Sequence, residues 1–393
     1  MTAVSQSPTE PDFVQNPYGF YAEQRALAAL HFWNEYNMLA AFSHAEVSAI
    51  LKDRSFGREV PAELATEPAP HTVPFYKIEA HSMLELEPPR HTRLRGLVMR
   101  AFTSRRIKTL EPDITELTHQ LIDQFPEGEF DLLPAFATHI PVVIICRLLG
   151  VPESMADQLL KWSNAMVSMY MASRTHETEL AAAQASTEFA EFIRAYADEK
   201  RATPGDDLLT ELIAAEEDGE KLSTDELITT CILLLNAGHE ATVHTFGNAI
   251  KCLLEHATDH SFLTEDKIDA TVEELIRFDP PLHMFTRYAY EDIEVAGQTF
   301  KRSDQIALLL GAANRDPTVW ENPETFDPSR PIKTNTAFGA GLHFCVGAPL
   351  ARLELKIALP ILFDRCPNLA LAQKPVYANV YHFHGLQELM VTR

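Results

Sequence analysis

The chain has 393 residues, 46% of them hydrophobic, and a formal net charge of −23. That length and apolar fraction allow a large buried core, while the acidity argues against a nucleic-acid binder. The five scattered cysteines, Cys146, Cys231, Cys252, Cys345 and Cys366, form no disulfide framework and suit a reducing compartment.

No Gly/Ser linker, low-complexity run or internal repeat divides the chain, so residues 1–393 are expected to form one domain. Residues 1–15 are polar and lack the apolar core of a signal peptide. The longest apolar stretch, residues 140–151, is interrupted by Arg147 and is too short to span a bilayer. The expectation is a cytoplasmic protein with no membrane attachment.

In chain order, the N-terminal third mixes short helices with strand-like pieces. Pro61, Pro68, Pro70 and Pro74 mark an irregular stretch. A helix is predicted after Pro88-Pro89, carrying His91 and Arg95 on one face. Helical patterns dominate from about residue 113 to 255. The longest candidate runs from Ser223 to about Glu255 and opens with the capping-box pair Ser223 and Glu226. Its centre holds Asn236-Ala237-Gly238, weak helix formers in a long apolar helix. A helix over about 265–278 stops before Pro280-Pro281. Strand-like runs follow at about 288–295 and 305–310. Residues 315–330, with three prolines, read as an ordered loop. Helix exceeds strand throughout.

The densest signal is Phe338-Gly339-Ala340-Gly341-Leu342-His343-Phe344-Cys345-Val346-Gly347. Val346, Leu350, Leu353, Ile357 and Ile361 then recur at helical spacing, which places Cys345 just before a helix N-terminus. Amide donors and the helix dipole there favour a thiolate, and the glycines let the backbone approach something flat and large. A thiolate offered axially to haem iron meets these demands. A buried core cysteine meets them too. A phosphate cradle lacks its Gly-Lys-Ser/Thr, and a zinc site built on His343 and Cys345 lacks a second ligand pair.

The pattern Phe-Gly-x-Gly-x-His-x-Cys-x-Gly resembles the haem-binding loop of the cytochrome P-450 family, met here by Phe338, Gly339, Gly341, His343, Cys345 and Gly347. Other segments carry the same resemblance. Glu274 and Arg277 match the family's Glu-x-x-Arg, and Arg330 in Phe326-Asp327-Pro328-Ser329-Arg330 matches its meander arginine. The resemblance implies that these three form a buried network behind the haem loop. His91 and Arg95, Arg287 and His343 match the positions that hold the haem propionates. Ala237-Gly238-His239-Glu240-Ala241-Thr242 is similar to the oxygen-activation motif, with one departure: Ala241 stands where the family has an alcohol. Alanine cannot relay a proton, and Thr242 is turned away by about 100°. Water held by Glu240 or a displaced Thr242, a substrate group, or loosely coupled turnover are the ways to accommodate it.

The resemblance implies a mainly α, single large helical domain with small β-sheets enclosing haem b (iron protoporphyrin IX), ligated by Cys345. It implies a monooxygenase that inserts one oxygen atom from O2 into a C–H bond of a medium-sized apolar substrate. By family position, Leu233, Asn236, Ala237, His283, Phe285 and Phe383, with Ala241 and His382, line the pocket, and the proline-rich stretch before His91, with Phe75 and Tyr76, is expected to form its lid. No flavin or iron–sulfur motif is present, so electrons are expected from a separate ferredoxin and ferredoxin reductase. Arg100, Arg105, Arg106, Lys108, Arg352 and Lys356 are candidates for the docking face. A monomer is expected. A peroxygenase driven by hydrogen peroxide and a non-catalytic haem-thiolate sensor are the competing readings.

Overall fold

The computed structural model describes residues 2–171, 174–217, 220–380 and 383–393. Helices build most of it, and the longest, Thr224–Glu255, runs through the middle of the main core. Ser223 caps it: its side chain accepts from the Glu226 N–H, and Glu226 accepts from the Ser223 N–H in return. Such a cap contributes about 0.5–2 kcal/mol. Leu227, Ile228, Cys231, Ile232, Leu234 and Leu235 bury its first half, and Phe246, Ile250 and Leu253 its second. Around it pack the helices His139–Leu149, Ala156–Val167, His176–Ala202, Ile268–Phe278 and Ala348–Arg365.

The helix expected after Pro88-Pro89 spans Arg90–Ala101. The run expected over 265–278 begins three residues later, at Ile268. The irregular proline stretch resolves into a 3-10 turn, Pro70–Thr72, followed by the helix Val73–Glu79.

A six-stranded mixed sheet forms the second layer. Its strands run in the order Thr2–Val4, Leu30–Trp33, Met38–Ala41, Gln305–Leu309, Met284–Ala289 and Phe56–Gly57. Antiparallel pairing sets Arg287 opposite Ile306, which delivers the Arg287 guanidinium from a central strand. Residues 315–330 contain neither helix nor strand, as expected for an ordered loop. Among the described residues, no helix is long and apolar enough to cross a membrane.

Candidate functional site: a cysteine loop, a cation cluster and an opened helix face

The loop before Cys345 is folded by its own backbone. The Gly339 N–H donates to Thr336 O at 2.8 Å, and the Cys345 N–H donates to Phe338 O at 3.0 Å. Gly341 is needed twice over: its φ is +70°, and a Cβ there would stand 2.3 Å from the Leu51 carbonyl oxygen. The helix begins at Ala348 with Gly347 as its cap, so Cys345 lies just outside the first turn. Its side chain is exposed. The surrounding protein still raises the thiol pKa, against the pull of the Gly347 and Ala348 amides and the Arg95 and Arg352 guanidiniums. Arg95 also donates to the Phe344 carbonyl at 2.6 Å, and Arg352 lies over the Phe338 ring at 4.5 Å.

Beside the loop stands a group of basic side chains. His91 and His343 approach to 4.5 Å between ring centroids, and His343 Nε2 lies 2.9 Å from Glu87 Oε1. Burial works against the Glu87 carboxylate, but His343 and the Arg58 N–H outweigh it and hold its pKa below the usual range. His91 is enclosed, and neither of its ring nitrogens has a hydrogen-bond partner. Burial, then the neighbouring His343 and Arg95, lower its pKa to about 4. Arg287 is also buried. It donates to Thr286 O at 2.8 Å and has no carboxylate within ion-pair distance among the described residues. Burial, with Arg58 beside it, lowers its pKa to about 10.

A buried guanidinium without an acid and an imidazole with two unused nitrogens are costly unless an anion or water meets them. The donor chemistry therefore fits a group with two carboxylates next to Cys345, as haem has. Sequence reasoning missed Arg58 and Glu87. Arg58 pairs with Glu85 at 2.6 Å and leaves its Nε unpartnered.

The three residues of the expected charged network are in contact. Arg277 donates to both Glu274 carboxylate oxygens, at 2.7 and 2.8 Å. Arg330 Nε lies 3.1 Å from the same carboxylate. Arg277 also donates to the carbonyls of Asn314 and Pro323, which ties the helix to the loop 315–330.

The long helix exposes one stripe. Ala237 is the exposed residue at the middle of the helix, and Leu233 and Ala241, one turn either side, are partly so. Glu240 lies on the edge of this stripe, with His239 Nε2 and His244 Nε2 each 3.8 Å from its oxygens. Burial would raise the Glu240 pKa, but the two histidines, His244 foremost, hold it below the usual value. The Thr242 hydroxyl donates to the Gly238 carbonyl at 3.1 Å and the Thr245 hydroxyl to the Ala241 carbonyl at 2.7 Å. Both alcohols are thus turned back onto the helix, so the displaced-Thr242 reading loses its free hydroxyl. His244 was not singled out from the sequence. Its ring packs so closely on Gly385 that a Cβ there would meet Nδ1 at 1.9 Å.

Of the other expected pocket residues, Asn236 directs Nδ2 at Met166 Sδ at 3.8 Å, and its Oδ1 is buried without a partner. The Phe383 ring stands 5.6 Å from His244. Phe285 lies by Gly339 and Arg287, on the side of the cysteine loop. His283 is fully enclosed between Tyr18, Tyr21 and His384, away from the helix stripe. The strand starts only at Met284, so strand alternation does not carry His283 to the face of Phe285 and Arg287. His382 lies outside the described residues.

Of the basic residues expected to face a redox partner, Arg106 pairs with Asp206 and Glu211, Arg352 with Glu273 and Lys356 with Asp269. Arg105 and Lys108 have no acidic partner within 4.0 Å among the described residues. They line a surface groove together with Ser104, Thr109, Glu111 and Pro112.

The family model for cytochrome P450 matches residues 46–265 and 268–373. The biotin biosynthesis cytochrome P450 of Bacillus subtilis (strain 168) is 35% identical over 99% of both chains. The cytochrome P450 monooxygenase PikC of Streptomyces venezuelae is 35% identical over 93% of this chain and 87% of its own. Among solved structures, P450BioI in complex with an acyl carrier protein ligated by hexadec-9Z-enoic acid superposes with a TM-score of 0.90 at 33% identity. That match covers 97% of this chain and 99% of the other.

Proposed function

The chain belongs to the cytochrome P450 family of monooxygenases, and from that membership we propose that it inserts one atom of dioxygen into a C–H bond of a medium-sized apolar organic substrate. The observation that carries the reading is the cluster beside Cys345. His91 and Arg287, buried and without acidic partners, stand next to His343, Arg95 and an accessible cysteine.

Haem b, when bound, would supply the iron at which dioxygen is reduced and activated. Cys345 would ligate it, with the Gly347 and Ala348 amides stabilising the thiolate charge. Arg287, His91, Arg95 and His343 would hold the two propionates by charge-assisted hydrogen bonds. Leu233, Ala237 and Ala241 would present an apolar surface that excludes water from the substrate. The unpartnered Asn236 Oδ1 would accept a hydrogen bond from a substrate hydroxyl or amide.

Glu240 would hold and pass the protons that oxygen reduction consumes. With Ala241 unable to help, resupply falls to His244, which faces the Glu240 carboxylate at 3.8 Å through a small rotation or one water. Electrons would come from a separate ferredoxin and its reductase, docking near Arg105 and Lys108.

The test is turnover under labelled dioxygen with a ferredoxin system, using a substrate found by its spin shift of the ferric protein. One labelled oxygen per product is expected. Label-free product formed with hydrogen peroxide alone would make the protein a peroxygenase. Absence of substrate-dependent reductant consumption would make it a sensor or binding protein.

A further inference from the structure

Two segments that border the lid meet in one polar cluster far from the cysteine loop in sequence. His71 sits in the 3-10 turn Pro70–Thr72, while His176 and Glu179 open the helix His176–Ala202. His71 Nε2 is 2.6 Å from Glu179 Oε2, and His176 Nδ1 is 3.9 Å from the same oxygen. The two imidazole rings stand 4.4 Å apart between centroids, at 72°. One donor atom from each residue lies within 4.8 Å of the other two.

We propose that His71, His176 and Glu179 form a binding site for a divalent transition-metal ion of the zinc type, which fastens the lid turn to the start of this helix. Two imidazoles and a carboxylate are the donor set of open zinc sites, with the fourth position left to water. Bonds of about 2.0–2.1 Å in a tetrahedral arrangement need donors about 3.4 Å apart. The two separations from Glu179, 2.6 and 3.9 Å, bracket that value and the imidazole donors lie within 4.8 Å of each other, so shifts of up to about 1.4 Å assemble the triangle. The His176 side chain, 70% exposed, has the freedom to make its share of them. The exchange balances: as His71 Nε2 takes the metal, its hydrogen bond to Glu179 is lost and the ring proton resides on Nδ1. A protonated imidazole cannot ligate, so binding weakens in acid.

Two features oppose a cation here, and neither is decisive. Arg174 Nε pairs with Glu179 at 3.0 Å, but through Oε1, which leaves Oε2 for the metal. The positive end of the helix weakens affinity by a factor of roughly two to five. The other convergent triad among the described residues is Asp279, His283 and His384, and its carboxylate is already engaged. There Asp279 accepts from the Tyr18 and Tyr377 hydroxyls and faces the Lys251 ammonium at 3.8 Å. His71, His176 and Glu179 have no comparable set of donors. A second link joins the elements next to these two: Tyr170, before the helix, donates to Glu79, at the end of the helix that follows the turn, at 2.6 Å. A metal would make that closure firm.

The site itself is independent of the proposed oxygen chemistry; its effect on substrate entry rests on that reading. The experiment is calorimetric titration of the full-length haem-loaded protein with Zn2+, in the wild type and in His71→Ala, Glu179→Gln and His176→Ala. One saturable equivalent is expected, weakened at least about tenfold in each variant. His176→Ala, at an exposed position, should fold as the wild type does, which keeps the comparison sound. Absence of saturable binding, or equal affinity in all variants, would overturn the site. The onset of a ligand-induced spin shift should then slow with Zn2+ in the wild type and not in His176→Ala; equal rates would overturn the fastening. A protein that binds Zn2+ through these residues yet shows no haem-thiolate spectrum would retain the site while the proposed function fell.

Discussion

A carboxylate with imidazoles on two sides can be recharged from either, and Glu240 stands so between His239 and His244. His239 is enclosed, and burial lowers its pKa; His244 is the more accessible of the two. We therefore expect Glu240→Gln to lower turnover by about a hundredfold, and His244→Ala by about tenfold, with more reductant lost to peroxide. The pH profile of product formed per reductant should also change in His244→Ala. An unaltered profile and coupling in that variant would show that the imidazole takes no part. His244 was illegible in the sequence because its position depends on Gly385, 141 residues on, which only the tertiary fold brings against it. Cys345 was legible for the opposite reason. Its neighbours in space, Phe338 and Gly347, are also its neighbours in sequence.

At the scale of elements, the Ile268–Phe278 helix is tied to the loop 315–330 by one carboxylate shared between two guanidiniums. Removing Arg277 leaves Glu274 buried beside only the more exposed Arg330, at an expected cost of about 3–5 kcal/mol. We expect Arg277→Ala to yield no soluble haem-loaded protein; normal haem content on purification would contradict the network's role. The helix Ala348–Arg365 holds a different strain. Glu354 is enclosed, neither of its oxygens has a partner, and burial raises its pKa well above the usual value. The native state therefore binds this proton more tightly than the unfolded chain, so stability falls as pH rises above about 4.5. Glu354→Met should stabilise by about 1–3 kcal/mol at pH 8 and by less at pH 5. Equal gains at both pH values, measured by thermal unfolding, would show that Glu354 is ionised in the native state. The helix itself was legible from its apolar spacing. Glu354 was not, since periodicity does not reveal what encloses a residue.

For the whole molecule, a chain of charge −23 would repel an acidic redox protein except where cations gather. The fold discounts half of the basic run read from the sequence, because Arg106, Arg352 and Lys356 are occupied by acids brought from elsewhere in the chain. Of the remaining three, Arg105 and Lys108 have no acidic partner within 4.0 Å among the described residues, and the proposed docking would rest on them. We expect Arg105→Glu and Lys108→Glu each to slow reduction by an acidic ferredoxin a few-fold, with wild-type rates falling as salt rises. A flat salt response would remove docking from this face. The architecture was legible to the level of one mainly helical domain. The six-stranded sheet was not, because it pairs Met38–Ala41 with Gln305–Leu309 from the far end of the chain, and such pairings leave no local signal.

The most direct test is the carbon monoxide difference spectrum of the dithionite-reduced protein, recorded beside Cys345→Ser. A strongly red-shifted Soret band in the wild type, absent from the variant, is the predicted result. A protein without haem, or a band typical of histidine ligation that survives the substitution, would contradict thiolate ligation by Cys345 and the function built on it.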